Sequence, residues 1–282
     1  MQWPLSPDTC APDIASVTVG MIDTGISANH AAFDNARLEV VSLTQNDQPA
    51  SRAIHGTAVA SLLIGNPESR APGLLPTVHL IAVDVFNRVA GDERAAVFPL
   101  VEGLTRLADE GAKVINLSLA GPDNSVLEKI VTELTQERGI VLVASAGNAG
   151  PSAKPLFPAA YDSVIAVTAV DRRDNIYRHA VQGPQIDLAA PGVDVWAAAS
   201  IAGARWKTGT SFATPFVSAA AAIVISQQPD LSPADVREIL INGALDLGPE
   251  GRDDTFGFGL VSFQNLYADS GGVKDLAESA LK

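Results

Sequence analysis

Short apolar runs alternate with amphipathic or alanine-rich stretches along most of the chain. The apolar runs are rich in β-branched residues and nearly free of polar ones, as strands buried on both faces are. They lie at residues 17–22, 79–86, 114–119, 140–144, 163–170 and 186–190. The stretches with helical spacing or composition lie at residues 54–64, 99–110, 125–137, 214–227 and 232–242.

This alternation predicts the fold class. Uninterrupted apolar strands separated by helices are typical of an α/β fold of three layers, with a mostly parallel central sheet covered by helices on both faces. In such folds the ligand site lies at the carboxyl ends of the strands. No Pro- or Ser-rich linker divides the chain, so residues 1–268 are expected to form a single domain, followed by a polar C-terminal tail at residues 269–282.

Composition narrows the functional classes. The formal net charge is −13, from 19 basic and 32 acidic residues. A surface this acidic repels phosphate backbones, so nucleic acid is not an expected partner, and it favours a monomer in solution. Hydrophobic residues make up 47% of the chain, which is enough for one buried core.

Three further features bear on the compartment. Cys10 is the only cysteine, so no disulfide can form within the chain. No apolar run is expected to span a membrane, since the stretch at residues 216–225 has only ten residues. Residues 1–16 lack the basic and apolar regions of a signal peptide. The compartment is therefore left open, with a secreted or periplasmic location favoured if a signal segment has been removed.

Four motifs of small and polar residues follow predicted strands or stand at the beginning of predicted helices. Asp23 lies in Asp-Thr-Gly, His55 in His-Gly-Thr-Ala, Asn148 in Ala-Ser-Ala-Gly-Asn, and Ser211 in Gly-Thr-Ser-Phe-Ala-Thr-Pro. Taken singly, such residues are more often turn or cap residues than catalytic ones. Ser211 is expected just ahead of the alanine-rich helix, among small neighbours that leave room for a substrate.

A serine hydroxyl becomes a nucleophile only with a base within hydrogen-bond reach. Of the four histidines, His55 is the best candidate, because Gly56 beside it permits a close approach. His79 lies within an apolar run, and His30 and His179 lie in polar stretches without glycine.

The remaining two residues fit supporting roles. A catalytic histidine needs an acceptor that fixes its tautomer, and Asp23, at the end of a predicted strand, supplies a carboxylate there. The side-chain amide of Asn148 can donate to the oxyanion that develops during acyl transfer.

In the order Asp, His, Asn, Ser, these motifs resemble those of the subtilase family of serine peptidases. The resemblance extends from residue 17 to about residue 267 and includes Val-Ile-Asn-Leu-Ser-Leu at residues 114–119. It implies a subtilisin-like fold and a serine endopeptidase that acts through an acyl-enzyme. Ser211 would attack the scissile carbonyl, His55 would transfer the proton, Asp23 would orient His55, and Asn148 would hold the oxyanion.

The resemblance also implies where a protein or peptide substrate binds. Residues 117–121 are expected to pair with the substrate main chain as an added strand, and residues 144–147 to form a wall of the primary specificity pocket. The expected substrate-binding residues are Ser118, Leu119, Ala120, Gly121, Ser145, Ala146, Gly147 and Leu156. Because Ala120 and Leu156 stand where relatives have smaller residues, we expect a preference for small or medium apolar side chains before the cleaved bond.

No cofactor is expected to take part in the chemistry, and no metal-binding residue is assigned. The segment at residues 65–75, where many subtilases carry a calcium loop, has Asn66 and Glu68 as its only oxygen-rich side chains. Structural calcium sites elsewhere stay open, because calcium also binds backbone carbonyls. The resemblance further implies an inhibitory prodomain as a partner, and none is recognisable in this sequence.

Three other functions compete with this interpretation. The tripeptide at Asp23 matches that of aspartic proteases, but their chemistry needs two carboxylates, and the other candidate, Asp269, follows no apolar run. An α/β-hydrolase needs a histidine after its nucleophile, whereas the last histidine, His179, precedes Ser211. A pseudoprotease that binds peptides without cleaving them is the non-enzyme alternative.

Overall fold

Eleven strands and five helices form the part of the chain that this computed structural model describes, residues 14–44 and 48–264. The strands are β1 (Thr18–Asp23), β2 (Arg37–Ser42), β3 (His79–Asp84), β4 (Phe86–Val89), β5 (Asp92–Ala95), β6 (Val114–Leu117), β7 (Val141–Ser145), β8 (Ile165–Val170), β9 (Leu188–Pro191), β10 (Val195–Ala198) and β11 (Ala204–Lys207). The helices are α1 (His55–Ile64), α2 (Val97–Asp109), α3 (Ser125–Gln136), α4 (Thr210–Gln227) and α5 (Pro233–Asn242).

Seven strands form one sheet in the order β2-β3-β1-β6-β7-β8-β9, and every neighbouring pair is parallel. Helices α1, α4 and α5 cover one face of the sheet, and α2 and α3 cover the other. Side chains of β1 alternate between the two cores, since Met21 packs with α4 and Ile22 packs with α2. The predicted three-layer α/β fold is confirmed.

The carboxyl ends of the central strands meet at one edge of the sheet. Asp23, the last residue of β1, is the register partner of Asp84 at the end of β3. On the other side of β1, Leu117 ends β6 beside Ile22, and Ala144 of β7 pairs with Leu117. The chain therefore leaves several neighbouring strands close together, which is where the sequence places its candidate residues.

Helix α4 begins earlier than the sequence predicts. It begins at Thr210 and not at residue 214, so Ser211 lies in the first turn of the helix rather than ahead of it, and Pro215 lies inside. Proline is common at the start of helices, which is why the predicted boundary was too late. The helix is 18 residues long and apolar enough to cross a membrane by length and composition, but 83% of it is buried inside the protein, as in a core helix.

Strands with few buried side chains were not predicted. Strand β2 lies at the edge of the sheet, and the hairpins β4–β5 and β10–β11 are largely exposed, so none of them has a continuous apolar run. The predicted run at residues 79–86 accordingly ends at Asp84, and Phe86 begins β4. The predicted tail, residues 269–282, lies outside the described residues, and the single domain at residues 1–268 stays a prediction.

Candidate active site

Asp23 and His55 are joined by a short hydrogen bond. The Nδ1 atom of His55 lies 2.7 Å from Oδ1 of Asp23, which also accepts a 2.7 Å hydrogen bond from the backbone N–H of Thr24. The Asp23 carboxylate is almost fully buried at the end of β1, whereas 34% of the His55 side chain is exposed. With Nδ1 donating to the carboxylate, Nε2 of the imidazole is left free to accept a proton.

Glycine at position 56 makes this geometry sterically possible, as the sequence predicts. A Cβ at Gly56 would lie 2.2 Å from the carbonyl oxygen of Thr24, closer than any side chain tolerates. The N–H of Gly56 donates to the Thr24 hydroxyl at 2.9 Å. The start of α1 is thereby held against the loop that follows Asp23.

The environment of His55 shifts its pKa in opposite directions. Burial lowers the pKa, but the negative charge of Asp23 and the hydrogen bond to it raise the pKa more, so the net shift is upward from 6.5. The positive charge of Lys207 opposes this rise. His55 is therefore a stronger base than an ordinary histidine.

Ser211 lies in the first turn of α4, next to Phe212, whose ring packs on His55. The ring of Phe212 lies 5.3 Å from the imidazole ring, centroid to centroid, so the start of α4 packs directly on His55. Ser211 itself is 9% exposed. Its backbone carbonyl accepts a 2.8 Å hydrogen bond from the hydroxyl of Ser118.

Asn148 is oriented by Thr210, the residue before Ser211. Its Oδ1 atom accepts hydrogen bonds from the backbone N–H of Thr210 at 3.0 Å and from the Thr210 hydroxyl at 3.1 Å. The amide nitrogen lies 3.5 Å from where a Cβ at Gly209 would be. Because the oxygen is already engaged, the Nδ2 end of the amide is the end left to donate toward a ligand at Ser211.

The structure brings together three of the residues expected in the specificity pocket. Gly147 has a φ of +99°, and a Cβ there would lie 2.5 Å from Cδ1 of Leu156 and 3.5 Å from Cβ of Ala120. Nearby, the Ser145 hydroxyl donates to the carbonyl of Leu119 at 3.2 Å. Ala146 is buried, and its N–H is bonded to the Val167 carbonyl. The side chains of Ala120 and Leu156, both apolar, thus lie next to Gly147.

Both ends of the stretch expected to pair with a substrate main chain make main-chain hydrogen bonds within the protein. Leu117 is paired with strands on both of its sides, so it offers no free edge. The N–H and carbonyl of Gly121 both pair with Phe157, at 2.8 and 2.9 Å. The main-chain groups of Gly121 are thus engaged with Phe157, while the binding of a substrate to residues 118–121 stays a prediction.

The sequence reasoning missed two residues around the start of α4, Thr210 and Lys207. Thr210 holds Asn148 as described, and its hydroxyl also accepts from the N–H of Gly147 at 3.1 Å. The ammonium of Lys207 lies 6.0 Å from the centre of the Phe212 ring. The Thr210 position could have been found from the four-motif pattern, because it lies inside the serine motif, whereas no sequence signal marks Lys207.

The other histidines make other contacts or lie elsewhere in the sheet. Both nitrogens of His30 are bonded to backbone groups, with Nε2 lying 3.0 Å from the Gly203 carbonyl. His79 begins β3, at the end of the strand opposite Asp84. The ring of His179 accepts a hydrogen bond from Arg178. Within residues 14–44 and 48–264, no group of three or more His, Cys, Asp or Glu side chains could hold a metal ion.

Comparisons with known proteins show which sequences and structures the chain is similar to. The sequence profile of the subtilase family matches residues 15–259. Subtilisin DY of Bacillus licheniformis is 36% identical over 253 residues, which cover 87% of this chain and 88% of the relative. Thermitase of Thermoactinomyces vulgaris is 34% identical over 230 residues, covering 80% of each chain.

Solved structures show the same similarity. The patellamide maturation protease PatA superposes with a TM-score of 0.77 at 30% identity, covering 89% of this chain and 96% of that one. The prenylagaramide maturation protease PagA superposes with a TM-score of 0.78 at 26% identity, covering 93% of this chain and 95% of that one.

Proposed function

Because the chain belongs to the subtilase family of serine peptidases, we propose that it hydrolyses peptide bonds with Ser211 as nucleophile, His55 as base, Asp23 as orienting carboxylate and Asn148 as oxyanion donor. It is a subtilisin-like serine protease, and its substrates are proteins or peptides. The observation that carries the residue assignment is the 2.7 Å hydrogen bond between His55 and the buried Asp23, beside the helix turn that bears Ser211.

The proposed reaction begins with acylation. Oγ of Ser211 attacks the scissile carbonyl carbon while Nε2 of His55 takes the hydroxyl proton. The tetrahedral oxyanion is held by the Nδ2 amide of Asn148 and the backbone N–H of Ser211. The C–N bond then breaks, and His55 gives its proton to the leaving amine. Asp23 keeps its charge throughout and stabilises the imidazolium.

Deacylation reverses these roles. A water molecule attacks the ester carbon of the acyl-enzyme as His55 removes its proton, and a second oxyanion forms in the same place. Collapse of this intermediate breaks the bond to Ser211, whose oxygen regains the proton from His55, and the peptide acid leaves. Every proton transfer is carried by side chains of this chain, so we propose that no cofactor takes part. For a protein that circular dichroism shows to stay folded after dialysis against EDTA, unchanged activity supports this, and activity restored only by an added metal ion contradicts it.

The substrate is proposed to bind as an extended strand. Its main chain would pair with residues 118–120, and the side chain before the cleaved bond would enter the space between Ala120, Gly147 and Leu156. The contacts of Leu156 and Ala120 around Gly147 support a narrow apolar pocket. We propose a preference for Ala, Val or Leu at that position.

A fluorophosphonate probe tests the assignment of the nucleophile. The folded protein should be labelled at Ser211, as located by peptide mass spectrometry, and the rate should rise as pH increases through the raised pKa of His55. The Ser211→Ala variant is the control and should not be labelled. A folded wild-type protein that stays unlabelled would instead favour a peptide-binding module without hydrolytic activity.

A further inference from the structure

A proline in α4 deprives the proposed nucleophile of a helical hydrogen bond. In an α-helix the N–H of each residue donates to the carbonyl four residues earlier, and proline has no N–H. Pro215 stands four residues after Ser211 within α4. The carbonyl of Ser211 therefore has no donor at the position that normally supplies one.

The hydroxyl of Ser118 donates to this carbonyl from outside the helix. The bond from Oγ of Ser118 to the oxygen of Ser211 is 2.8 Å long and buried. Ser118 comes directly after β6, so the contact joins the end of a central strand to the first turn of α4. It connects two segments that are distant in the sequence.

Ser118 is itself held by a chain of buried polar groups. The amide nitrogen of Asn116 donates to Oγ of Ser118 at 2.9 Å, and the hydroxyl of Ser218 donates to Oδ1 of Asn116 at 3.0 Å. Asn116 and Ser218 are completely buried, and Ser118 is 5% exposed. Because Oγ of Ser118 accepts from Asn116, its proton is directed at Ser211.

We propose that Ser118 is a positioning residue for the proposed nucleophile, acting through the carbonyl of Ser211. The inference rests on the proposed role of Ser211. The same residue begins the segment proposed to pair with the substrate main chain. The hydroxyl of Ser118 thus fixes the position of the Ser211 peptide unit relative to the segment proposed to bind the substrate. The attacking oxygen is thereby held at a fixed position relative to the scissile carbonyl.

Loss of this hydrogen bond should affect the chemical step more than substrate binding. Ser118→Ala leaves the main chain available for pairing but frees the Ser211 peptide unit. A misplacement of the order of 1 Å costs about 100-fold in rate. We expect kcat to fall by about 10- to 100-fold while KM changes by less than about threefold.

A double-mutant cycle with Pro215→Ala tests the mechanism. Alanine restores a backbone N–H that can donate to the carbonyl of Ser211, so it should replace the function of the Ser118 hydroxyl. In the Pro215→Ala background, Ser118→Ala should then lower kcat by less than about threefold. An equal loss of kcat in both backgrounds would overturn the proposal, because it would show that Ser118 acts independently of that carbonyl.

Thr135→Ala is the matched control for general damage to the core. It removes a buried hydroxyl that donates to carbonyls within α3, outside this chain of polar groups, so it should lower the melting temperature but change kcat by less than about threefold. A loss of kcat as large as that of Ser118→Ala would overturn the proposal. Failure of the proposed function is distinguishable, since the wild-type protein would then show neither cleavage nor labelling at Ser211.

Discussion

The basicity of His55 depends on its burial, which lowers its pKa, and on one negative and one positive charge. Asp23 raises its pKa, and Lys207 lowers it. The pKa of His55 is higher in the folded protein than in the unfolded chain, where it is near 6.5. The interaction of protonated His55 with Asp23 therefore contributes its full stabilisation below about pH 6.5, and this stabilisation is lost as pH rises through the pKa of His55 in the folded protein. Activity has the opposite dependence, because the base must be neutral.

Lys207→Gln should move the acidic limb of the activity profile to higher pH. Without the lysine, the pKa of His55 rises further, so a higher pH is needed to deprotonate it. The measurement is kcat/KM for a neutral peptide substrate between pH 5 and 9. Lys129→Gln, an exposed lysine on α3, is the charge-matched control and should leave the limb in place. A shift to lower pH after Lys207→Gln would refute this account.

Leu156→Ala should widen the proposed pocket. Removing the side chain whose Cδ1 faces Gly147 makes room for an aromatic ring, so kcat/KM for Phe relative to Ala before the cleaved bond should rise by about tenfold or more. A panel of peptides that differ only at this position measures the ratio. Leu245→Ala, at an exposed leucine, is the control. If the wild-type protein already cleaves fastest after Phe or Tyr, the proposed preference is wrong.

At the scale of single residues, the sequence was informative where a side chain stands next to a glycine. Gly56 reports the close approach of α1 to the loop after Asp23, and the prediction of His55 depended on it. Thr210 was missed because its partner, Asn148, is distant in the sequence. Lys207 was missed because only the folded chain shows that its ammonium lies near the ring of Phe212.

At the scale of elements, an ion pair between a partly exposed arginine and a buried aspartate links α5 to the sheet. Both Nε and Nη2 of Arg237 donate to Oδ1 of Asp187, the residue before β9, which is only 2% exposed. Burial raises the pKa of Asp187, although Arg237 and the N–H of Ala166 act to lower it. The positive charge of Arg237 thus stabilises the ionised form of Asp187, which burial disfavours.

Arg237→Ala should therefore destabilise the protein by about 3–5 kcal/mol, because a buried charge loses its partner. The loss should grow as pH rises, since an unpaired Asp187 costs most when ionised. Urea unfolding at pH 5 and pH 8, in a Ser211→Ala background that prevents self-digestion, measures it. Arg106→Ala, which breaks an exposed pair with Glu110, should cost at most about 0.5 kcal/mol. A smaller loss at pH 8 than at pH 5 would contradict the argument.

Elements were predictable to the extent that they are buried. The central strands and the helices have continuous apolar patterns, and Ser232 marked the start of α5, where its hydroxyl accepts from the N–H of Asp235 in a capping box. The hairpins lack such a pattern, because most of their side chains are partly or fully exposed. The start of α4 was misjudged because Pro215 resembles an N-terminal proline, and the hydrogen bond from Ser118 that accommodates it is invisible in sequence.

For the whole molecule, the two cores share the strands of one sheet. Leu63 of α1 and Leu104 of α2 are completely buried on opposite faces. The sheet cannot lose one layer without exposing apolar side chains of the strands, so both cores should unfold together. This shared sheet is also why the fold class could be predicted, since strands buried on both faces have few polar positions in their sequence.

Leu63→Ala and Leu104→Ala should each lower the unfolding free energy by about 2–5 kcal/mol and keep a single transition. Far-UV circular dichroism and tryptophan fluorescence, recorded against urea in the Ser211→Ala background, should give one midpoint for each variant. Separate midpoints in either variant would show that the two layers are independent.

The order of the proposed active residues along the chain has a consequence for biosynthesis. His55 is translated before β3, whereas Ser211 follows all of the described strands. The helix that carries Ser211 packs on strands β6 to β9, which are made before it. During translation, the proposed base therefore exists before the proposed nucleophile, and the two can meet only after the strands of the sheet have been synthesised.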